Sequence, residues 1–335
     1  MVNIGLVGLG FMGQTHYRHY SRMEGAKVVA IADIDPRRQA GDLSSSWGNL
    51  GDASAPRLDV TGLFMAPSYR ELIARAEVEV VDICVPTPAH HEVAMAALRA
   101  GKHVICEKPL ARTAALAGEI ADLAEKSTSI FMPAMCMRFW PQWAWLKQAV
   151  AEKRYGKILA AQFTRISSPP PNWYRDGKMS GGAILDLHLH DVDFIQYLLG
   201  MPRSVCSRGY AAFSGECDHV VTHYDFEGVP LVVAEGGWTM AAAFGFRMRY
   251  VVNFEKATAD FDLGREKQII VHEGKTARAI ECEAVDGWFA ELRYFVDCVQ
   301  RGVKPSVVTA RDAARSVRIV EAESQSVKTG RAVDL

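Results

Sequence analysis

The sequence predicts an α/β protein in two parts, a doubly wound parallel sheet followed by an α+β domain with a large, mainly antiparallel open sheet. Strands and helices alternate over the first 130 residues, whereas strands follow one another directly after about residue 155. The length of 335 residues also suits two domains. We therefore expect domains at 1–130 and 131–335.

The first half shows short apolar runs separated by amphipathic stretches. Strands are expected at 3–7, 28–32, 78–85 and 103–106, and helices at 12–23, 91–100 and 111–126. Near-continuous β-branched and apolar runs are typical of parallel strands covered on both faces. The stretch 41–67, rich in Gly, Ser, Asp and Pro, predicts a loose surface connection with room for one helical turn.

The second half is dominated by strands separated by turn signals. Strands are expected at 158–166, 204–212, 220–226, 231–238, 247–254, 257–262 and 267–272, and helices at 182–199, 286–301 and 309–329. Consecutive strands without crossover helices favour an antiparallel sheet, because tight turns join only antiparallel neighbours.

Charge and cysteine content argue against several classes of protein. The 38 Lys and Arg residues nearly balance the 39 Asp and Glu residues, so we expect no binding to nucleic acid or to an anionic membrane. Seven scattered cysteines without a C-x-x-C pair favour reduced thiols in the cytoplasm. The chain enters a strand-like run at Val2 without a leader pattern or a long apolar segment, so a soluble, untargeted protein is expected.

A glycine motif follows the first strand. In Gly8-Leu9-Gly10-Phe11-Met12-Gly13 the first glycine permits a tight turn, the second admits a pyrophosphate to the backbone, and the third lets helix and strand pack closely. A plain strand-to-helix turn would use the same residues. Asp33, twenty residues after Gly13, adds the carboxylate that binds an adenosine ribose, and together they predict a dinucleotide site.

The same carboxylate bears on the choice of cofactor. Asp33 would repel a 2′-phosphate, which favours NAD over NADP. Arg37 and Arg38 are close enough in sequence to pair with such a phosphate, so NADP stays open. The alternative for both arginines is a solvated start of a helix.

Ionisable residues end the strand at 103–106. Glu107 and Lys108 precede Pro109, which turns the chain at the carboxyl end of the parallel sheet, where ligands bind. A cis Lys108–Pro109 bond is one option for this turn. Lys108 at this edge can relay a proton to or from a substrate, and a surface lysine in a turn is the alternative.

A polar stripe interrupts the apolar stretch 182–199. In one continuous helix Asp186, His190 and Asp193 fall at i, i+4 and i+7, so Asp186 can orient the ring of His190 for proton exchange. A satisfied core His–Asp pair is the alternative. His188 faces another side, as a structural residue or at the edge of a cleft. Because no third ligand motif appears, we predict no metal site.

Four segments together resemble the Gfo/Idh/MocA oxidoreductases, the family named for glucose-fructose oxidoreductase and inositol dehydrogenase. They are Gly8-x-Gly10-x-x-Gly13, Val85-Pro86-Thr87-Pro88-Ala89-His90, the run 101–110 containing Glu107-Lys108-Pro109, and Gly181-Gly182-x-x-x-Asp186-x-x-x-His190-x-x-Asp193. The resemblance covers essentially the whole chain. It implies a Rossmann domain, a C-terminal sheet used for homodimers or homotetramers, and hydride transfer between nicotinamide and a hydroxyl carbon of a sugar, sugar derivative or cyclitol.

The resemblance also implies roles for individual residues. Lys108 matches the family's active-site lysine, and Asp186 and His190 match its Asp–His pair. The expected cofactor contacts are Gly8, Gly10, Phe11, Met12, Gly13, Asp33, Pro86, Thr87, Pro88, His90, Glu107 and Lys108. The expected substrate contacts are Arg138, Trp173, His188 and His190. His188 stands where the family commonly has glycine, so its ring is expected to narrow the pocket or add a hydrogen bond.

Two other functions are compatible with this fold. One retains NAD and uses transient oxidation for elimination or glycoside cleavage, without net redox change. The other is a non-catalytic, nucleotide-sensing regulator. The regulator predicts loss of the chemical residues, whereas Lys108, Asp186 and His190 are all present.

Overall fold

A computed structural model describes residues 1–44 and 57–335. Two compact units make up the chain, one of residues 1–136 and 286–314, the other of residues 137–285 and 315–335. The return of 286–314 to the first unit differs from the expected division at residue 130. Sequence reasoning had no signal for this return, because an amphipathic helix does not reveal which sheet it covers.

In the first unit, described strands form a six-stranded parallel sheet. Its strands are β1 Val2–Val7, β2 Ala26–Ala32, β3 Phe64–Ala66, β4 Val80–Ile83, β5 His103–Glu107 and β6 Phe131–Ala134. Their order is β3-β2-β1-β4-β5-β6, and every neighbouring pair is parallel. This order confirms the doubly wound sheet and places its topological switch point between β1 and β4.

Helices connect these strands. They are α1 Phe11–Tyr20, α2 Pro36–Gln39, α3 Tyr69–Ile73, α4 His90–Arg99 and α5 Ala114–Lys126. The side chain of Thr113 caps α5 by accepting the N–H of Leu116. Strand β3 lies inside the stretch 41–67, which was expected to be a loose connection, and pairs with β2. Positions 45–56 of that stretch lie outside the described residues.

The second unit contains a nine-stranded sheet among the described residues. Its strands are β7 Ile158–Ser167, β8 Ser204–Tyr210, β9 His219–Phe226, β10 Val229–Gly237, β11 Phe246–Phe254, β12 Thr258–Asp262, β13 Ile269–Glu273, β14 Thr276–Ile280 and β15 Val333–Asp334. The order is β14-β13-β12-β11-β7-β10-β9-β8-β15. Neighbours are antiparallel except β7 and β10, which are parallel, so the mainly antiparallel sheet is confirmed.

Further helices complete the chain. They are α6 Pro141–Ala151, α7 Gly177–Ser180, α8 Gly182–Asp186, α9 Leu189–Leu199, α10 Gly287–Arg301 and α11 Ala310–Thr329. Trp143 on α6 is fully buried and forms an aromatic core with Phe163, Phe194 and Tyr250. No helix in the described part of the chain has the length and apolar composition of a membrane span. All seven cysteines are free thiols.

Candidate functional site

The glycine loop between β1 and α1 has the geometry that a dinucleotide pyrophosphate requires. Gly8 has a φ of 92°, and a Cβ there would lie 2.5 Å from the carbonyl oxygen of Cys84. A Cβ on Gly13 would lie 1.9 Å from the carbonyl oxygen of Gly8, so only glycine permits this packing. A Cβ on Gly10 would meet no described atom within 4 Å. The open space at Gly10 and the N-terminal end of α1 therefore fit a phosphate group.

Asp33 connects this loop to the end of β2. Its Oδ2 accepts the N–H of Leu9 at 2.7 Å, and its Oδ1 accepts the N–H of Asp35 at 2.8 Å. Nη1 of Arg38 lies 3.6 Å from Oδ2, whereas Arg37 pairs with Asp35. The carboxylate expected to bind a ribose thus lies beside the loop, and Arg38 is the arginine next to it. Half-buried Phe11 and Met12 open α1 and stay predicted contacts.

His90 ties together two loops at the carboxyl edge of the sheet. Its Nδ1 lies 2.7 Å from the carbonyl oxygen of Pro109 and its Nε2 lies 2.8 Å from that of Val85. The residue is only 1% exposed, and this burial lowers its pKa. Both ring nitrogens therefore face backbone carbonyls, and the contact of His90 with the cofactor stays a prediction. In the same turn Pro86 and Pro88 are exposed and Thr87 is buried.

The turn that carries Lys108 is held by its neighbour. Oε2 of Glu107 accepts the N–H of Lys108 at 3.0 Å, and the Lys108–Pro109 peptide bond is cis. Glu107 ends β5 and Lys108 follows it directly, half-buried at the carboxyl edge of the sheet. Because Gly8 follows β1 at the same edge of this parallel sheet, the unit presents Lys108 and the glycine loop on one side.

His16, on α1, is a buried residue of this region that sequence reasoning missed. Its Nδ1 lies 2.8 Å from Oδ2 of Asp82, and its Nε2 lies 3.2 Å from Oε1 of Glu107, an ion-pair distance without hydrogen-bond geometry. Burial disfavours the charged ring, but the Asp82 carboxylate raises the pKa of His16 well above its usual value. The signal that could have found it is its place one turn into α1, three residues after Gly13.

Cys84 completes a cluster around His16. Its Sγ lies 3.4 Å from Nδ1 of His16 and 3.4 Å from Oδ1 of Asp82. The ligand atoms of these three residues lie within 4.8 Å of one another. Hydrogen bonding accounts for this arrangement, and the absence of a metal site stays a prediction.

In the second unit, the stretch 182–199 forms two helices rather than one. The N–H groups of Leu187 and His188 both donate to the carbonyl oxygen of Ala183, at 2.9 and 2.8 Å, which widens the last turn of α8. The expected single helix over 182–199 is therefore wrong, whereas the pairing of Asp186 with His190 stays a prediction. Asp186 is buried at the end of α8, whereas His190 is half-buried in the first turn of α9.

Asp193 belongs to a buried ion pair. Nε and Nη2 of Arg138 donate to its two carboxylate oxygens at 2.8 and 2.7 Å, and Oγ of Ser316 donates at 2.9 Å. The Arg138 guanidinium also lies 4.5 Å from the ring centroid of Tyr197. Arg138 is 4% exposed and holds Asp193 in this structure, and its expected contact with substrate stays a prediction.

His188, between the two helices, is fully buried. Its Nε2 lies 3.3 Å from Oε1 of Glu323 and 3.2 Å from the hydroxyl of Tyr224, which itself donates to Oε1 at 2.6 Å. Burial opposes protonation, but the Glu323 carboxylate raises the pKa of His188 above its usual value. The ring also fills the space left by Gly236, where a Cβ would lie 2.5 Å from Nδ1. His188 therefore anchors the helix junction through Glu323 and Tyr224, and its contact with substrate stays a prediction.

Aromatic side chains cover α8. Trp173 and Tyr174 stack with centroids 4.1 Å apart, and Tyr174 meets the edge of Trp238. Trp238 in turn forms a small core with Ala183 and Leu187. Trp173 is half-buried, so part of its ring is available for the expected sugar contact.

The chain matches models of both parts of one oxidoreductase family. The GFO_IDH_MocA model, an oxidoreductase family with an NAD-binding Rossmann fold, matches residues 2–135, and the GFO/IDH/MocA C-terminal domain matches residues 143–260. Myo-inositol 2-dehydrogenase of Thermotoga maritima is 27% identical over 348 aligned positions, spanning 100% of this chain and 98% of that protein.

Two further similarities concern other activities. The 2,7-anhydro-N-acetylneuraminate hydratase of Mediterraneibacter gnavus is 27% identical over 296 positions, spanning 82% of this chain and 75% of that protein. A solved structure of levoglucosan dehydrogenase in complex with NADH and levoglucosan shares the fold, with a TM-score of 0.86, 22% identity and 99% of each chain covered. The protein therefore belongs to the GFO/IDH/MocA family of oxidoreductases, and its N-terminal part is an NAD-binding Rossmann domain.

Proposed function

We propose that the protein is an NAD(P)-dependent dehydrogenase that transfers hydride between nicotinamide and a hydroxyl carbon of a sugar, sugar derivative or cyclitol. One observation carries this proposal: the Glu107 side chain holds Lys108 at the sheet edge that also carries the glycine loop. A nucleotide-sensing regulator does not need a lysine at this turn. The Thermotoga maritima relative, an inositol dehydrogenase, supports the same substrate class.

Lys108, Asp186 and His190 form the proposed proton relay. When bound, the nicotinamide ring accepts the hydride that leaves the substrate carbon. His190 takes the hydroxyl proton as the carbon–oxygen double bond forms, and Asp186 orients the ring and stabilises its cation. Lys108 polarises the reacting oxygen and assists the relay. The proton is shared within this coupled group rather than assigned to Lys108 or His190 alone.

The cofactor preference follows from Asp33. Its carboxylate accepts hydrogen bonds from the hydroxyl groups of an adenosine ribose and repels a 2′-phosphate, so NAD is preferred. Arg38, 3.6 Å from that carboxylate, is the residue through which NADP would be accepted. Trp173 supplies a ring face for a sugar, and His190 contacts the reacting hydroxyl.

The second-unit sheet is the proposed surface for a homodimer or homotetramer. Leu159, Val221 and Leu231 lie on the adjacent strands β7, β9 and β10 and are 40%, 41% and 45% exposed. Exposed apolar residues on neighbouring strands are typical of an interface. Light scattering should give a dimer or tetramer mass, and Leu231→Asp should reduce it. The free cysteines fit a reducing cytoplasm.

The relative named as a hydratase favours one alternative. In this alternative function the enzyme retains NAD, transient oxidation of the substrate activates a neighbouring bond, and no net redox change results. Purified protein should be supplied with NAD and a panel of aldoses, inositols, deoxy sugars and sugar acids, with NADH followed by absorbance and products by mass spectrometry. NADH formed together with an oxidised product supports the dehydrogenase. An altered product without NADH, from protein that retains nucleotide, supports the alternative.

A further inference from the structure

Asp218, which precedes β9, is a buried carboxylate with four hydrogen-bond donors. Its Oδ2 accepts the consecutive N–H groups of Ala212, Phe213 and Ser214 at 2.7, 2.8 and 3.0 Å. Its Oδ1 accepts Nε1 of Trp238 at 2.8 Å. The residue is 0% exposed, and although burial opposes ionisation these bonds lower its pKa. An ionised carboxylate therefore folds the segment 212–217 around itself.

The folded segment supports the helices that lead to Asp186. The N–H of Gly177 donates to the carbonyl oxygen of Ser214 at 2.9 Å, and the N–H of Ile184 donates to that of Cys217 at 3.2 Å. At Gly182 φ is 75°, and a Cβ would lie 2.6 Å from the carbonyl oxygen of Cys217. Glycine is required there because α8 begins directly on the backbone of segment 212–217.

The same carboxylate holds the aromatic residues beside α8. Phe213 and Trp238 both donate hydrogen bonds to Asp218, and their rings stack with centroids 6.3 Å apart. Trp238 packs on Ala183 of α8. Tyr174 contacts the edge of the Trp238 ring, and Trp173 stacks on Tyr174. One side chain thus connects the start of α8 with the aromatic rings around it.

We propose that Asp218 is a positioning residue for substrate: it places α8, which carries Asp186, and the aromatic surface that includes Trp173. This proposal rests on the proposed function, because it assumes that Asp186 acts on substrate. Asp218 itself touches no reacting atom. Its influence passes through the backbone of 212–217 and the Trp238 ring.

The test is Asp218→Asn, which keeps the shape of the side chain and removes its charge. We expect kcat/KM for the sugar to fall about 10- to 100-fold, as small misplacements of reacting groups do, with a raised KM and a shifted acid limb of the pH profile. NADH affinity should stay within about twofold, since the glycine loop belongs to the other unit. Hydrogen exchange should rise at 182–187 as well as at 212–217.

Asp225→Asn is the matched control, because Asp225 is an exposed carboxylate on the adjoining strand β9 that pairs with Arg203. It should leave kcat/KM and exchange at 182–187 unchanged. If Asp218→Asn yields less folded enzyme, but that enzyme has the wild-type KM and pH profile, the proposal is overturned, because Asp218 would then serve folding alone.

If Asp218→Asn does not fold, Trp238→Phe tests the positioning role instead, because it removes one hydrogen-bond donor to Asp218 and keeps an aromatic ring. It should raise KM and exchange at 182–187, and unchanged values would overturn the proposal. Exchange also separates this proposal from the proposed function. Wild-type protein inactive on every sugar would refute the function, while unchanged exchange at 182–187 in Asp218→Asn would refute the positioning role.

Discussion

The carboxylate of Asp33 accepts the backbone N–H of Leu9 at 2.7 Å, so the end of β2 and the glycine loop form one hydrogen-bonded unit. The residue predicted from sequence to bind a ribose thus also shapes the glycine loop. In the proposed site, cofactor affinity and cofactor preference therefore both depend on this carboxylate.

Asp33→Ser should weaken NADH binding about tenfold or more and weaken NADPH binding less. The variant loses charge-assisted hydrogen bonds to the ribose and to Leu9, while Arg38 is released from the carboxylate to meet a 2′-phosphate. Fluorescence titration with both nucleotides measures this. Asp59→Asn, an exposed carboxylate in the same unit, serves as control. An unchanged preference would mean that the ribose is held by other residues.

Gly10→Ala should impair NADH binding, whereas Gly13→Ala should impair folding stability. A methyl group on Gly10 meets no described atom within 4 Å, so the fold should keep its melting temperature while NADH binding is lost to the obstructed phosphate position. A methyl group on Gly13 would overlap the carbonyl oxygen of Gly8, so that variant should be strongly destabilised. Calorimetry with and without NADH separates them. NADH binding by Gly10→Ala with wild-type affinity would contradict this site.

Breaking the Arg138–Asp193 pair should cost stability first. Arg138→Met leaves a buried carboxylate uncompensated, with an expected loss of about 3–5 kcal/mol in the free energy of unfolding. Urea denaturation measures the loss. Arg203→Met removes the corresponding residue of the exposed Arg203–Asp225 pair and should change little. Full stability of Arg138→Met together with a large rise in KM would instead place Arg138 on the substrate.

The His188–Glu323 contact should make stability depend on pH. Because the folded protein raises the pKa of His188, the contact stabilises fully below the unfolded value of about 6.5 and is lost as pH rises through the higher folded value. The difference in melting temperature between wild type and Glu323→Gln should therefore be largest at about pH 6 and should shrink toward alkaline pH. Glu321→Gln, an exposed position on the same helix, is the control. A difference that stays constant with pH would show that His188 is neutral throughout.

Much of the fold was predictable because its strands carry strong local patterns. The expected strands at 103–106 and 158–166 correspond closely to β5 and β7. Strand β3 was missed because three residues are too short for a periodic pattern. Strand β14 was missed because its side chains are exposed, so only backbone pairing with β13 defines it.

The candidate site was less predictable, because its geometry depends on distant partners. Periodicity does not reveal the widened turn at Leu187 and His188, because no Gly or Pro marks a break there in the sequence. The partner of Asp193 is Arg138, which lies 55 residues away in sequence. Motif spacing predicted the glycine loop and Asp33, because the turn and the carboxylate stand at fixed offsets within one strand–helix–strand unit.

Lys108 is proposed to act in hydride transfer from a hydroxyl carbon. The most direct measurement uses a substrate from the sugar panel, deuterated on that carbon, with deuterium followed into NADH by mass spectrometry. We predict deuterium in NADH for the wild type and for Lys27→Ala, an exposed lysine of the same unit. We predict transfer about 100-fold slower or more for Lys108→Ala with unchanged NADH binding. Deuterium that never enters NADH would contradict the proposed hydride transfer, and a Lys108→Ala variant as fast as wild type would contradict the role of Lys108.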